Sequence, residues 1–244
     1  MTRFEYLLFG LVAYIVFFAT FLYLIAFVAD LPQVPLTVDR GGDMSGVLVA
    51  APIDLALVAL FGIQHSVMAR PWFKARWTKI VPEAIERSVY VLLASVMLIV
   101  LFMFWRPIPR IVWSVEAPAA VILFYALFAA GWAIVLLSTF MISHFELFGL
   151  KQVWRHVRKG TAAQPEFRTP LFYRLVRHPL YSGFILAFWA IPVMTVGHLL
   201  LAVSMLVYIL IAIGHEERDL INLFGERYVE YRGRVGKLTP KLWR

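Results

Sequence analysis

The sequence predicts an all-α integral membrane protein with four spanning helices, a C-terminal helical hairpin, and cytoplasmic connecting and tail helices. Hydrophobic residues make up 61% of its 244 residues and charged residues only 16%, whereas soluble domains are about half apolar and a quarter charged. Several apolar runs reach the roughly 20 residues that a helix needs to cross a bilayer. Lys and Arg are concentrated between these runs.

The apolar runs define the membrane elements in order. Four are long enough to span: 6–29, 47–69, 88–105 and 118–142. Two shorter runs, 179–196 and 198–214, are separated by Gly197 alone. This spacing predicts a tight helical hairpin that enters the membrane and returns to the same side.

The two long polar segments should form helices outside the membrane. Residues 147–157 carry apolar side chains near helical spacing between basic ones, which indicates an amphipathic helix at the membrane surface. Phe224, Tyr228 and Tyr231 have similar spacing in the tail. We therefore expect a cytoplasmic helix there that packs on the membrane part.

The basic residues indicate the orientation. Of the 23 Lys and Arg residues, all except Arg40, Arg106 and Arg110 fall in the N-terminus, two connections and the tail. The positive-inside rule places these basic segments, and with them both termini, in the cytoplasm. Because the aromatic residues lie mostly within the apolar runs, no basic aromatic face for nucleic acid is expected.

The residue types limit the possible chemistry. The chain has no cysteine, which excludes disulfides, thiolate metal sites and a cysteine nucleophile. Its six histidines do not have the spacing of a zinc site. We therefore expect no metal centre.

One candidate site lies where the fifth run begins, at Arg177-His178-Pro179-Leu180-Tyr181-Ser182-Gly183. Pro179 suits the first turn of a helix, where no N–H partner is needed. Free N–H groups at such a start can bind an anion such as a carboxylate. The alternative is an ordinary helix start with basic residues reaching the membrane surface.

An acidic cluster follows the sixth run, at His215-Glu216-Glu217-Arg218-Asp219. A hairpin would bring Arg177 and His178 close to Glu216 and Glu217. An anion-binding helix start beside two carboxylates could hold an amino-acid zwitterion. The alternative is a solvated, salt-bridged helix end.

The motif RHPxYxG, followed by a hairpin, an acidic pair and FGxxYxxY, resembles the isoprenylcysteine carboxyl methyltransferase superfamily over residues 165–240. The resemblance implies binding of S-adenosylmethionine at the cytoplasmic face of a helical bundle without a Rossmann domain. The chain likewise has no GxGxxG sequence. It also implies a functional division into an N-terminal transmembrane bundle, 1–142, and a cofactor-binding region, 143–244.

Segments 64–74 and 143–154 resemble the NnrU and methanethiol S-methyltransferase branch of that superfamily. This resemblance implies methylation of a small thiol, most directly methanethiol to dimethyl sulfide, by in-line transfer in a bacterial inner membrane. Other acceptors, namely hydrogen sulfide, an isoprenoid or a prenylcysteine, stay open, as does a non-catalytic NnrU-like membrane protein. The oligomeric state is not indicated.

Carried over residue by residue, the resemblance assigns cofactor binding to Phe167, Arg168, Tyr173, Arg177, His178, Pro179, Leu180, Tyr181 and Glu216. Phe167 and Arg168 belong to the connection 165–168, which matches by position only. The arginine with which prenyl enzymes bind their substrate carboxylate aligns near Ala212 and is missing here. Its absence favours a small, uncharged acceptor.

Three residues are candidates for the chemistry of the thiol. His144, oriented by Glu146, is the first candidate for a base, and His65 is the second. The alternatives are that His144 and Glu146 anchor the surface helix and that His65 makes an interhelical hydrogen bond. Asp54 lies within a membrane run, where a carboxylate is costly unless it is paired, so we expect structural pairing. His198, near the expected turn, should also be structural.

Overall fold

The computed structural model describes residues 2–160 and 166–241. These residues form ten α-helices and two short β-strands, in the order α1 (Arg3–Val28), α2 (Val47–Ala69), α3 (Pro71–Trp77), α4 (Glu83–Phe104), β1 (Ile111–Ser114), α5 (Pro118–Ile142), α6 (His144–Leu147), α7 (Leu150–Val157), α8 (Pro179–Trp189), β2 (Val193–Thr195), α9 (Val196–Phe224) and α10 (Glu226–Arg234). A 3₁₀ turn, Leu171–Arg174, precedes α8.

Within the described residues, five helices are long and apolar enough to cross a membrane: α1, α2, α4, α5 and α9. The prediction of an all-α integral membrane protein is confirmed. The predicted bounds of α2 and α5 match the structure. Helix α4 begins five residues earlier than predicted, at Glu83, because acidic Glu83 and Glu86 in its first turn favour a helix N-terminus.

The chain packs as two compact units. The first contains described residues of 1–110 and 143–164, and the second those of 111–142 and 165–244. In the first unit α1 packs on α4 and α7, and α2 packs on α4. Helix α7 approaches α1 closely at Gly10, where an added Cβ would lie 3.0 Å from Val153 Cγ2.

The surface helix is shorter than its sequence pattern predicted. It begins at Leu150 rather than at residue 147. Gly149 interrupts it with φ +89°, a conformation that only glycine adopts readily. A Cβ at Gly149 would also lie 2.8 Å from the backbone nitrogen of Ser88 on α4. The break therefore allows the segment to turn against α4.

Asp54 is fully buried on α2; the structural pairing expected for it is present at Oδ1, while Oδ2 has no hydrogen-bond partner among the described residues. Its Oδ1 accepts a hydrogen bond of 2.8 Å from the backbone N–H of Arg106. The Arg106 side chain turns away to Asp43, with Nη1 2.7 Å from Oδ2. Asp54 thus fixes the chain just after α4, where backbone N–H groups need a partner outside the helix.

In the second unit, α5 and α8 run antiparallel in close contact. Gly131 faces Ala187, and Gly183 faces Val135. A Cβ at Gly131 would lie 2.7 Å from the Ala187 backbone nitrogen, and a Cβ at Gly183 would lie 2.7 Å from the Gly131 carbonyl oxygen. The two glycines let the helix backbones approach, as small residues commonly do between membrane helices.

The hairpin is present, but its turn is not at Gly197 as predicted. Helix α8 ends at Trp189, and Gly197 is already the second residue of α9. The intervening chain forms β2, which pairs antiparallel with β1. Pro192 cannot donate a hydrogen bond within a continuing helix, which explains the early end of α8. Pairing with β1 then provides hydrogen-bond partners for the extended backbone of β2.

His198 closes this turn, which confirms the structural role expected for it. Its Nε2 lies 2.9 Å from the Phe188 carbonyl oxygen, and its backbone N–H donates to Thr195 Oγ1 at 3.0 Å. Helix α9 then continues for 29 residues, or about 43 Å at 1.5 Å per residue. Because the hydrocarbon core is about 30 Å thick, the last turns of α9 extend beyond the span.

The close contact of α5 and α8 gives a test of the fold. Gly131→Ala should lower the melting temperature of the detergent-purified protein, because overpacking a tight contact costs about 1–3 kcal/mol. Gly214→Ala is the matched control, since a Cβ there meets no atom of the described chain within 4 Å. Equal melting temperatures for the two variants would contradict the close contact.

Candidate functional site

The site predicted from the RHPxYxG motif lies at the start of α8. His178 is the residue before the helix, and Pro179 is its first residue. Because Pro179 has no N–H, Leu180 and Tyr181 provide the first helical N–H groups. Arg177, His178 and Pro179 are all buried.

The guanidinium of Arg177 is held by Glu217 at the far end of α9. Arg177 Nε and Nη2 both lie 2.8 Å from Glu217 Oε1. His178 Nε2 lies 3.2 Å from the same oxygen. The expectation that the hairpin brings these ends together is confirmed. A buried guanidinium is costly unless it is paired, so this contact fixes the two ends of the hairpin against each other.

The two neighbouring glutamates have different surroundings. The side chain of Glu217 is 10% exposed and that of Glu216 is 44% exposed. Glu216 Oε2 lies 3.8 Å from His178 Nδ1, farther than a hydrogen bond. Glu216, which the resemblance assigned to the cofactor, therefore keeps an accessible carboxylate beside His178.

The C-terminal tail completes the pairing of Arg177, which the sequence did not predict. Arg177 Nη1 donates to the carbonyl oxygens of Arg232 at 3.1 Å and Val235 at 2.5 Å. The backbone N–H groups of Arg177 and His178 donate to Gly236 and Lys237 at 2.8 and 3.1 Å. The tail thus pairs with the N–H groups just before the helix, which lie outside the first helical turn where the motif predicts an anion site.

An aromatic cluster lies beside these charges in the same unit. The ring of Phe167 is 5.3 Å from that of Phe224, 6.1 Å from that of Tyr228 and 5.4 Å from that of Tyr231. The Tyr231 hydroxyl donates to the Tyr173 carbonyl oxygen at 2.5 Å. These contacts join the connection before α8 to α10.

The phenols of this cluster stay protonated at neutral pH. Burial raises the pKa of Tyr231 to about 12. Burial, and then the negative charge of Glu216, raise the pKa of Tyr173 well above its usual range. Tyr173 and Glu216, two of the predicted cofactor residues, are therefore close enough to interact.

The remaining predicted cofactor residues have different positions. The Tyr181 ring lies 5.7 Å from that of His178, so it belongs to the same end of the unit. Arg168 is exposed and pairs with Glu166, with Nε 2.9 Å from Oε2. Pro165, in the same connection, lies outside the described residues.

His144, the first candidate for a base, belongs to the other unit. It is buried, and its Nε2 lies 2.9 Å from the Tyr14 hydroxyl of α1. Its ring also packs against those of Phe145 and Phe148, at 5.3 and 4.8 Å. Burial lowers the pKa of His144 below its usual range. No pattern in the sequence pointed to Tyr14 as its partner.

Glu146 was expected to orient His144, but both of its carboxylate oxygens bind cations. Oε2 lies 2.9 Å from Lys151 Nζ, and Oε1 lies 2.7 Å from Arg155 Nη2. The hydrogen bond from Lys151, with that from Arg155, holds the pKa of Glu146 below its usual range. These contacts tie α6 to α7, which is the anchoring role considered as the alternative.

His65, the second candidate for a base, lies near the end of α2. Its ring centroid is 5.3 Å from that of Phe61 and 5.0 Å from that of Tyr90. The Tyr90 hydroxyl donates to the His65 carbonyl oxygen at 3.3 Å. These contacts link α2 to α4, which fits the interhelical alternative. Among residues 2–160 and 166–241, no three His, Asp or Glu side chains are grouped so as to hold a metal.

The chain is similar to several curated proteins over nearly its whole length. It is 52% identical over 242 residues to methanethiol S-methyltransferase 1 of Bradyrhizobium diazoefficiens, covering 99% of this chain and 84% of the relative. It is 48% identical over 246 residues to methanethiol S-methyltransferase of Mycobacterium tuberculosis, covering 98% of each chain.

A more distant likeness is to Nurim of Sus scrofa, with 32% identity over 183 residues, which are 71% of this chain and 69% of the relative. No family model matches the sequence, and no solved structure matches it. The extent and level of identity nevertheless define the relationship: the chain belongs to the methanethiol S-methyltransferase family.

Proposed function

We propose that this protein transfers a methyl group from S-adenosylmethionine to a small thiol, most directly methanethiol, which becomes dimethyl sulfide. The observation that carries the proposal is the start of α8. There His178 lies between the buried Glu217 and the accessible Glu216. The names of relatives that are 48–52% identical support methanethiol as the acceptor.

The residues at this end of the second unit suit S-adenosylmethionine. The accessible carboxylate of Glu216 suits an ammonium group, and the first N–H groups of α8 suit a carboxylate. The rings of Tyr173, Tyr181 and Phe167 provide faces that attract a sulfonium cation. When bound, this group supplies a methyl group activated by the positive charge on its sulfur.

Arg177 has a positioning role in this proposal. Each nitrogen of its guanidinium already has a partner in Glu217 or the tail. It holds α8, α9 and the tail together, and His178 is thereby fixed between the two glutamates. Arg168, which is exposed and paired with Glu166, would bind only a part of the ligand that reaches the surface.

The reaction balances without a metal or a covalent enzyme intermediate. A carbon–sulfur bond forms between the thiol sulfur and the methyl carbon, the bond from that carbon to the sulfonium breaks, and its electron pair stays on the departing sulfur. The thiol proton is released. Because the thiolate is the real nucleophile and a free thiol such as cysteine has a pKa of about 8.5, a proton acceptor assists the step.

His144 is the proposed acceptor of that proton, assigned from its own environment. Burial keeps its imidazole neutral at pH 7; in this role Nε2–H donates to the Tyr14 hydroxyl oxygen, and Nδ1 takes the thiol proton. Because the pKa of His144 lies below that of a free thiol, proton transfer before methyl transfer is unfavourable. The proton therefore moves as the new bond forms. Glu146 anchors the helix turn that carries His144.

The acceptor should be small and uncharged. Ala212 is buried on α9, and the resemblance aligns the arginine with which prenyl enzymes bind the substrate carboxylate near this residue. Without that cation, a prenylcysteine carboxylate would be desolvated without compensation. An uncharged thiol has no such cost and can enter from the apolar phase.

We infer that the protein lies in a bacterial inner membrane with both termini in the cytoplasm. Twenty of its 23 basic residues fall on that side in the proposed orientation. Within the second unit, the antiparallel pairing of β1 with β2 brings the hairpin turn to the same end as the chain that leads into α5. A fluorescent protein fused to the C-terminus tests the orientation, because the fusion must stay dark if the tail is exported.

The function is tested with purified protein in detergent, mixed with S-adenosylmethionine and methanethiol. Dimethyl sulfide in the headspace and S-adenosylhomocysteine in solution should appear in equal amounts. Hydrogen sulfide and a prenylcysteine serve as competing acceptors. If S-adenosylmethionine binds but methanethiol gives no dimethyl sulfide, the proposed acceptor is wrong.

Substitutions of the two glutamates should have different effects, one on ligand binding and the other on thermal stability. Glu216→Gln should weaken S-adenosylhomocysteine binding about tenfold or more with little change in melting temperature, because its side chain is 44% exposed and lies beyond hydrogen-bond distance of His178. Glu217→Gln should lower the melting temperature strongly, because removing one partner of a buried ion pair costs about 3–5 kcal/mol. Calorimetric titration and thermal unfolding measure the two effects. The reverse pattern would overturn the assignment.

His144→Ala should keep cofactor affinity and lose most of the turnover. In the wild type, activity should fall only below about pH 6.5, the ordinary pKa of histidine, because burial shifts protonation of His144 to lower pH. In the variant, the rate should instead rise with pH as the thiol ionises in solution. Identical rate profiles from pH 5 to pH 9 would remove His144 from the chemistry.

A further inference from the structure

Tyr228 lies on the first turn of α10, and nothing in the preceding proposal uses it. The residue is 2% exposed. Its ring packs 6.1 Å from that of Phe167 and 5.8 Å from that of Tyr231. It therefore belongs to the aromatic cluster beside the start of α8.

The Tyr228 hydroxyl is buried, yet it has no hydrogen-bond partner among residues 2–160 and 166–241. Its neighbour Tyr231 differs, because the Tyr231 hydroxyl donates to the Tyr173 carbonyl oxygen. Buried hydroxyls in native proteins nearly always have a partner, since leaving one unmet is unfavourable. An unpaired buried hydroxyl beside a binding site therefore points to a ligand.

The charges near Tyr228 are those of the candidate site. Burial, and then the negative charge of Glu217, raise the pKa of Tyr228 well above its usual range, and Arg177 and Glu216 also act on it. The hydroxyl therefore stays protonated and can donate. Arg177 cannot donate a hydrogen bond to the ligand in place of Tyr228, because its three side-chain nitrogens already donate to Glu217 and to the tail.

We propose that the Tyr228 hydroxyl hydrogen-bonds the amino-acid end of the bound methyl donor, beside Glu216. This inference rests on the proposed function. In this arrangement Glu216 pairs with the ligand's ammonium group, and Tyr228 donates to its carboxylate. An uncharged donor suits this position, because a further cation would compete with Arg177 for Glu217.

The test compares Tyr228→Phe with the wild type by calorimetric titration of two probes. S-adenosylhomocysteine carries the amino-acid end, and 5′-methylthioadenosine lacks it. The variant should bind S-adenosylhomocysteine about tenfold more weakly, as expected for one lost hydrogen bond to a charged group. Its affinity for 5′-methylthioadenosine should be unchanged. An equal loss for both probes, or no loss for either, would overturn the proposal.

Thermal unfolding of the ligand-free protein provides the control. Tyr228→Phe should not lower the melting temperature, because its hydroxyl has no partner among the described residues, whereas Tyr231→Phe should lower it because its hydrogen bond to Tyr173 is lost. Tyr125→Phe, on an exposed position of α5, should change neither stability nor binding. If Tyr228→Phe lowered the melting temperature as much as Tyr231→Phe, the Tyr228 hydroxyl would have a hydrogen-bond partner within the protein, and the proposal would be overturned. If the wild type binds S-adenosylmethionine while Tyr228→Phe binds both probes normally, only this inference fails.

Discussion

The buried guanidinium of Arg177 is the constraint on which the candidate site in the second unit depends. A charge at the start of an apolar helix must be paired before it can be buried. Its partners come from three places: Glu217 on α9, the carbonyl group of Arg232 in α10, and the carbonyl group of Val235 directly after α10. Because one side chain joins these segments, α8 cannot move independently of α9 or of the tail. Because His178 directly follows Arg177 in the chain, its position is fixed as well.

The same constraint separates two kinds of residue at the site. Arg177 and Glu217 satisfy each other and serve the architecture. Glu216 has a partly exposed carboxylate, and the Tyr228 hydroxyl has no hydrogen-bond partner among the described residues; our proposals assign both to the ligand. Adjacent residues on one helix thus have different roles, because successive side chains point about 100° apart around its axis.

Much of the fold could be predicted from the sequence, because apolar length alone identifies a membrane helix. Helices α2 and α5 have the predicted bounds. The turn after α8 could not be predicted from length, because it depends on pairing between β2 and β1, which are about 80 residues apart in sequence. Likewise, the break at Gly149 depends on how closely α4 approaches it.

The candidate site was predicted in part, because the motif identifies the helix start but not the partners of each side chain. Glu217 was expected near Arg177, and its burial could also have been predicted, since it continues the buried stripe of Ile209 and Ile213 at intervals of four residues. The hydrogen bonds of Gly236 and Lys237 leave no periodic signal, because they are made by backbone atoms. Tyr14 reaches His144 across 130 residues of sequence, which no local pattern reveals.

The most direct test of this account is an experimental structure of the protein with S-adenosylhomocysteine bound. The account predicts that the amino-acid end of the ligand lies within hydrogen-bond distance of Glu216 and beside His178, while Arg177 stays paired with Glu217. A ligand bound away from the start of α8, or one that takes Arg177 from Glu217, would contradict the account.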